Sequence, residues 1–174
     1  MDIINLGIED DLPPVEWDGI AERIGDGVPP AADAHNSRST WLTTLNADGS
    51  PHVTPVGAMW IDGDFWFQTG AGTKKHRNVE RDPRCTVALS IRDADVVVEG
   101  RAARVTDPKD LARVAAKWAE GGWPAEVDPS GTGITAPFNA PAQGPPPWHV
   151  YRITTTSATV ALGVEPGGLT RFNF

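Results

Sequence analysis

The sequence predicts a mainly β fold, a barrel with flanking helices. Three observations carry that expectation. Short runs rich in Val, Ile, Thr and aromatic residues recur between turn residues from Ser39 to the C-terminus. Only two stretches of that region, residues 74–81 and 108–120, combine helix start and stop signals. The run 52–61 carries apolar groups on both faces (Val53, Val56, Ala58, Met59, Ile61), as suits a closed barrel that also packs against a helix or a second subunit.

The elements follow in order. Residues 1–38 read as an irregular acidic arm with one short helix near 15–24. Pro13, Pro14, Gly25, Gly27, Pro29 and Pro30 limit regular structure around it. The barrel domain spans 39–174. Residues 39–45 and 52–61 are strands joined by the turn residues Asn46, Ala47, Asp48, Gly49 and Ser50. Asp62, Gly63 and Asp64 turn the chain into a third strand, 65–69. Thr73 is a good N-cap for a helix over 74–81, which Asp82 and Pro83 end. Residues 84–91 and 96–105 are further strands. Asp107 and Pro108 open the second helix, whose Leu111, Val114, Ala115 and Trp118 share one face. Residues 123–148 are rich in Pro and Gly and read as a long loop, either functional, as a substrate lid or ligand cover, or disordered. Residues 148–153, 158–162 and 169–174 are the last strands.

Composition narrows the function classes. The chain has 174 residues and a net charge of -8, which disfavours nonspecific binding to DNA or anionic membrane. No nucleic-acid motif and no apolar run long enough for a membrane span is present, and the acidic N-terminus is unlike a signal peptide. The single Cys85, within an apolar run, is expected to be a buried packing residue. These features point to a cytoplasmic protein. His35, His52, His76 and His149 are widely spaced, and no ligand spacing suggests a metal.

On so acidic a chain, the segment from Gln68 and Thr69 through Gly70, Ala71, Gly72, Thr73, Lys74, Lys75, His76, Arg77 and Asn78 stands out. A helix start normally favours acids, because its dipole end is positive. Here Lys74, Lys75 and Arg77 crowd that end, and the first acid is Glu80. Free backbone N–H groups after a Gly-rich loop, a Thr hydroxyl and several cations make a phosphate site; a solvated basic helix face is the plainer alternative.

The same residues carry a resemblance. Residues 41–45, the turn 46–50, PHVTPVGAMW, DFWFQTGAGTKKHRNVERDPRCTVAL and the ending LTRFNF resemble the pyridoxamine 5′-phosphate oxidase-like split-barrel superfamily, in particular its flavin/deazaflavin oxidoreductase branch. The likeness covers about residues 39–174. It implies a six-stranded split barrel that forms a homodimer, with two cofactors in grooves between the subunits. By that likeness, Thr73, Lys75 and Asn78 match the phosphate motif, with Lys74 and Arg77 beside them. The stretch 55–60, including Pro55, Val56, Gly57 and Trp60, matches the strand beside the ring. Trp66 also lies near these strands. The ending Thr170, Arg171, Phe172, Asn173, Phe174 is similar to the Thr-Arg-Trp-Arg-Phe terminus associated with coenzyme F420, lacking its tryptophan and second arginine.

The resemblance implies an oxidoreductase that uses coenzyme F420, or alternatively FMN, and passes hydride to or from a small organic acceptor. The cofactor carries such chemistry, and the protein supplies placement and exclusion of water. An FMN enzyme resembling pyridoxamine-phosphate oxidase is an alternative, although no second cation cluster is evident for a second phosphate. A non-catalytic flavin or haem binder is a third reading.

Overall fold

The computed structural model describes residues 1–27, 29–31 and 39–174. Strand β1 (Asp2–Asn5) and a short 3-10 turn precede helix α1 (Trp17–Gly25). Strands β2 (Thr40–Leu45), β3 (Pro51–Val56), β4 (Met59–Ile61) and β5 (Asp64–Gly70) lead into helix α2 (Lys74–Arg81). Strands β6 (Arg84–Ile91) and β7 (Ala94–Val105) lead into helix α3 (Pro108–Glu120). The short β8 (Glu126–Val127) and β9 (Ile134–Thr135), the long β10 (Trp148–Leu162) and β11 (Gly168–Asn173) complete the chain. Among the described residues, no helix is long and apolar enough to cross a membrane.

The ladders explain how the barrel closes. Strand β3 pairs with β2, β2 with β6, β6 with β7, β7 with β10, β10 with β5, and β5 with β4. Strands β3 and β4 are one chain segment interrupted at Gly57 and Ala58, so the circuit has six strand positions. The continuous strand expected over 52–61 therefore breaks where the chain leaves β2 and joins β5. Its two faces also differ from expectation. Val53 is 54% exposed and only Val56 and Ala58 of the first half pack on the barrel core, whereas the second half is covered on both sides, with Trp60 on the barrel core and Met59 and Ile61 on a second one.

The break splits the barrel wall. Strand β4 pairs only with Asp64, Phe65 and Trp66 of β5. The second half of β5, Phe67 to Gly70, is paired only with β10. Among the described residues, the unpaired edges of β3 and of late β5 thus stand on either side of this break, and β5 runs from it into α2.

Leu42, Phe65, Phe67, Val87, Val98 and Ile153 fill the barrel interior. A second core lies outside the wall, where Leu111, Val114, Ala115 and Trp118 of α3 pack on Trp66 and Val150. Asp107 caps α3 by accepting from the Lys109 and Asp110 N–H groups, and Pro108 occupies its first turn.

Three further differences are local. The arm contributes a strand, because β1 pairs antiparallel with β11. Residues 148–162 form one strand, with a bulge between Thr155 and Ser157. The polar Thr154–Ser157 run suggests a break, but β-branched residues suit a pleated edge and the bulge absorbs the register change. The loop at 123–148 contains the small β8–β9 ladder. His35 lies outside the described residues.

Candidate functional site

The start of α2 has the local structure that its sequence dictates. Thr73 is extended, and its hydroxyl oxygen accepts the His76 N–H at 3.2 Å. The same hydroxyl lies 2.7 Å from that of Thr69. Thr73 is thereby committed to shaping the turn and capping the helix. The N–H groups of Lys74 and Lys75, first in the helix, have no acceptor among the described residues.

Lys74 and Lys75 differ sharply. Lys74 is exposed, whereas Lys75 is only 7% exposed and has no hydrogen-bonded or ionic partner among the described residues. Burial pulls its pKa below the usual lysine value. His52 of β3 is also held below its ordinary pKa, first by burial and then by the charges of Lys74 and Lys75. The two cations therefore stand on the β3 side of the helix start. Arg77 is exposed and donates to the Gly72 carbonyl at 2.7 Å, tying down the glycine turn.

Asn78 has a structural task. Its amide donates to Thr44 Oγ1 at 3.0 Å and to Asn46 Oδ1 at 3.3 Å, stapling α2 to β2 and the turn after it. Arg81 adds a bond to the Leu45 carbonyl.

The remaining expected residues lie beside the break in the barrel wall or away from it. Pro55 is exposed on β3, Val56 is half-buried, and the exposed Gly57 offers its carbonyl to Trp118 Nε1 at 3.3 Å. Thr69 is fully buried. Gln68 makes a reciprocal amide pair with Asn139, at 3.0 and 3.2 Å. Trp60 is half-buried against Phe65 and Trp17 of α1, at ring separations of 4.8 and 6.2 Å. Trp66 lies beneath α3, with the Arg113 and Arg152 guanidinium groups 5.3 and 5.6 Å from its ring. Arg171 pairs with Glu99 at 2.6 Å and with Ser157 at 3.0 Å, so within one chain it is engaged on β7 and β10. Cys85 is buried, and burial pushes its thiol up to about 12.

Two features of the site were not anticipated. The first is a polar group on the other flank of α2. Tyr151 donates to Glu80 Oε1 at 2.6 Å, and His76 Nδ1 lies 2.8 Å from the Tyr151 oxygen. Because the phenol proton goes to the carboxylate, His76 must carry its proton on Nδ1. His149 packs edge-on at 5.1 Å. Burial lowers both imidazole pKa values and raises that of the phenol. The i, i+4 spacing of His76 and Glu80 was the available sign, but nothing local in sequence brings β10 to them. The second feature is Gln143, whose Oε1 accepts from the Gly70 N–H and from the Thr69 hydroxyl, each at 3.3 Å.

A family model for pyridoxamine 5′-phosphate oxidase matches residues 31–158. Among solved structures, a conserved hypothetical protein from Mycobacterium tuberculosis is 24% identical over 83% of this chain and 82% of that chain, with a TM-score of 0.56. A pyridoxamine 5′-phosphate oxidase-related, FMN binding protein from Nostoc punctiforme is 13% identical over 93% of each chain, with a TM-score of 0.62. The General Stress Protein 26 from Bacillus anthracis is 16% identical over 89% of this chain and 98% of that chain, with a TM-score of 0.55. These likenesses show a shared fold. No curated protein matches the chain.

Proposed function

The chain belongs to the pyridoxamine 5′-phosphate oxidase family, and on that premise we propose that it is an oxidoreductase that holds the phosphate of a flavin or deazaflavin cofactor at the start of α2. Coenzyme F420 is the favoured cofactor and FMN the alternative. The observation that carries this reading is Lys75, a largely buried side chain whose ammonium still reaches solvent and has no counter-ion among the described residues, beside two open helical N–H groups. Drawing a charge partly away from water is costly unless it is paired. An anion bound there relieves the cost and gains hydrogen bonds at the positive end of the helix.

Each residue then has a task. Lys75 and the Lys74 and Lys75 N–H groups bind the phosphate, with Lys74 adding charge from the rim. Arg77 holds the glycine turn through the Gly72 carbonyl and presents its remaining donors to solvent-side oxygens. Pro55, Val56 and Gly57 form one wall of the ring cleft, and Gln68 and Thr69 stand on the other. The bound cofactor supplies hydride transfer to or from a small organic acceptor. The chain's residues orient the ring and keep water from it.

The arrangement favours a homodimer that completes the site. Pro55, Trp41, Ala88, Val97, Thr159 and Arg171 lie in one register row across β3, β2, β6, β7, β10 and β11. Trp41 is 48% exposed on that face. Five strand spacings separate Pro55 from Arg171, about 24 Å along the sheet. Arg171 stands at the far end of that row from Pro55, which suits a part in the cofactor site of a second copy packed face to face.

The FMN alternative draws support from the Nostoc punctiforme neighbour, which is itself an FMN binding protein. The F420 reading rests on the ending at residues 170–174. Fluorescence titration of the purified protein with both cofactors separates them. Tighter F420 binding, with slow reoxidation of the reduced complex in air, is the expected result. Tighter FMN binding moves the assignment to a flavin enzyme or carrier, and binding of neither overturns the cofactor reading.

A further inference from the structure

The long loop enters the site from the opposite side to the cations. Residues 136–147 return across the end of β5 and are fastened at several points. Trp123 Nε1 donates to the Phe138 carbonyl at 2.7 Å, and Trp148 Nε1 donates to the Gly144 carbonyl at 3.0 Å. Between these anchors lies the Asn139–Gln68 amide pair. Pro137, Pro141, Pro145, Pro146 and Pro147 restrict the unfolded strap, so fixing it costs less entropy.

The strap reaches the Gly-rich turn through Gln143. Its backbone carbonyl lies so close to Gly70 that a β-carbon there would sit 1.7 Å from the oxygen. Its side chain has only one possible orientation. The Gly70 N–H is an obligatory donor, so the atom facing it at 3.3 Å must be the amide oxygen. That oxygen also accepts the Thr69 hydroxyl proton. Thr69 must then accept from Thr73, whose lone pair takes the His76 N–H. One directed chain of bonds therefore runs from Gln143 through Thr69 and Thr73 to the first turn of α2.

We infer that Gln143 is a positioning residue for the anion cradle, holding the 70–73 turn and the Thr73 cap in the geometry that presents the Lys74 and Lys75 N–H groups. This inference rests on the phosphate reading and adds to it that the distant strap determines preference for a phosphorylated ligand. Gln143 acts through Thr69 and Thr73 and need not touch the ligand. Its loss loosens the helix start while the ring cleft, built on β3 and β5, is left intact.

The test compares phosphorylated and phosphate-free forms of one ring. FMN and riboflavin are titrated into wild type and Gln143→Met, which keeps bulk and removes the acceptor. If wild type takes only the deazaflavin, F420 and its phosphate-free chromophore replace them. The expected result is a loss of about five- to tenfold for the phosphorylated form, with the phosphate-free form within twofold of wild type. Gln143→Leu removes the same acceptor and serves if Gln143→Met does not fold; the same selective loss is expected. An equal loss for both forms makes Gln143 a general support and overturns the inference, as does an unchanged affinity for both. A wild type that binds both forms equally overturns the phosphate reading itself.

Discussion

Lys74 and Lys75 are identical neighbours in sequence, and only the fold tells them apart. By sequence, Lys75 reads as part of the phosphate motif, with Lys74 beside it. The structure leaves Lys74 in solvent and largely buries Lys75, which has no partner among the described residues. That difference sets opposite signs for one substitution. Lys75→Met removes a partly desolvated charge that has no partner among the described residues, so the ligand-free protein should gain stability, on the order of 1 kcal/mol. Urea unfolding of the two proteins measures it, and a loss of stability would show that the lysine is already satisfied. The sign of the pH dependence follows from the same burial. The folded pKa of Lys75 lies below its ordinary 10.5, so between those values the unfolded chain binds more protons. Ligand-free stability should rise with pH through that window, while anion binding falls as Lys75 loses its charge. Lys75→Met should flatten both trends.

At the scale of elements, α2 is both the site and a joint. Its limits were legible in sequence, because Thr73 caps it and Asp82 with Pro83 ends it. The partners of its two flanks were not. Asn78, read as a phosphate contact, is bonded to Thr44 and Asn46. Asn78→Ala should therefore lower ligand-free stability by about 1–3 kcal/mol, which in a chain of this size is a fall of about 3–9 °C in Tm. A calorimetric scan without cofactor measures it, and an unchanged Tm would return Asn78 to the ligand. On the other flank, His76 and His149 are held neutral by burial, with Glu80 and Tyr151 beside them and the charge of Arg104 from β7 and Arg77 from α2 acting against protonation. Their folded pKa values lie below 6.5, so the unfolded state takes up more protons as pH falls through that value. Stability should be complete above about pH 7 and decline on acidification. Urea midpoints at neutral and mildly acid pH, for wild type and a His76→Gln/His149→Gln variant, should converge as the variant loses that slope.

For the whole molecule, periodicity and turn chemistry revealed the barrel strands and both later helices closely, since each depends on residues within a few positions. What they did not reveal depends on distant pairing. The strand break at Gly57 and Ala58 comes from a change of partner, β2 to β5. The strand at Asp2–Asn5 exists because β11 offers it an edge. Gln143 reaches Gly70 only because the strap returns over β5. The exposed row through Pro55, Trp41 and Val97 is a further long-range product, in which five ladders align outward residues from separate strands. Its exposed apolar side chains suit a second copy of this face. Trp41→Glu should convert a dimer into a monomer by light scattering and weaken cofactor binding with it, since Arg171 would no longer reach the neighbouring cleft. A folded wild-type monomer that binds cofactor tightly would contradict that assembly.

The most direct test of the account is calorimetric titration of wild type and Lys75→Met with F420 and FMN under the same salt conditions. The account predicts that wild type binds at least one of the two and that Lys75→Met, although at least as stable when empty, binds it about tenfold or more weakly. Equal affinity in the two proteins, or binding of neither cofactor by wild type, would contradict the phosphate site at the start of α2.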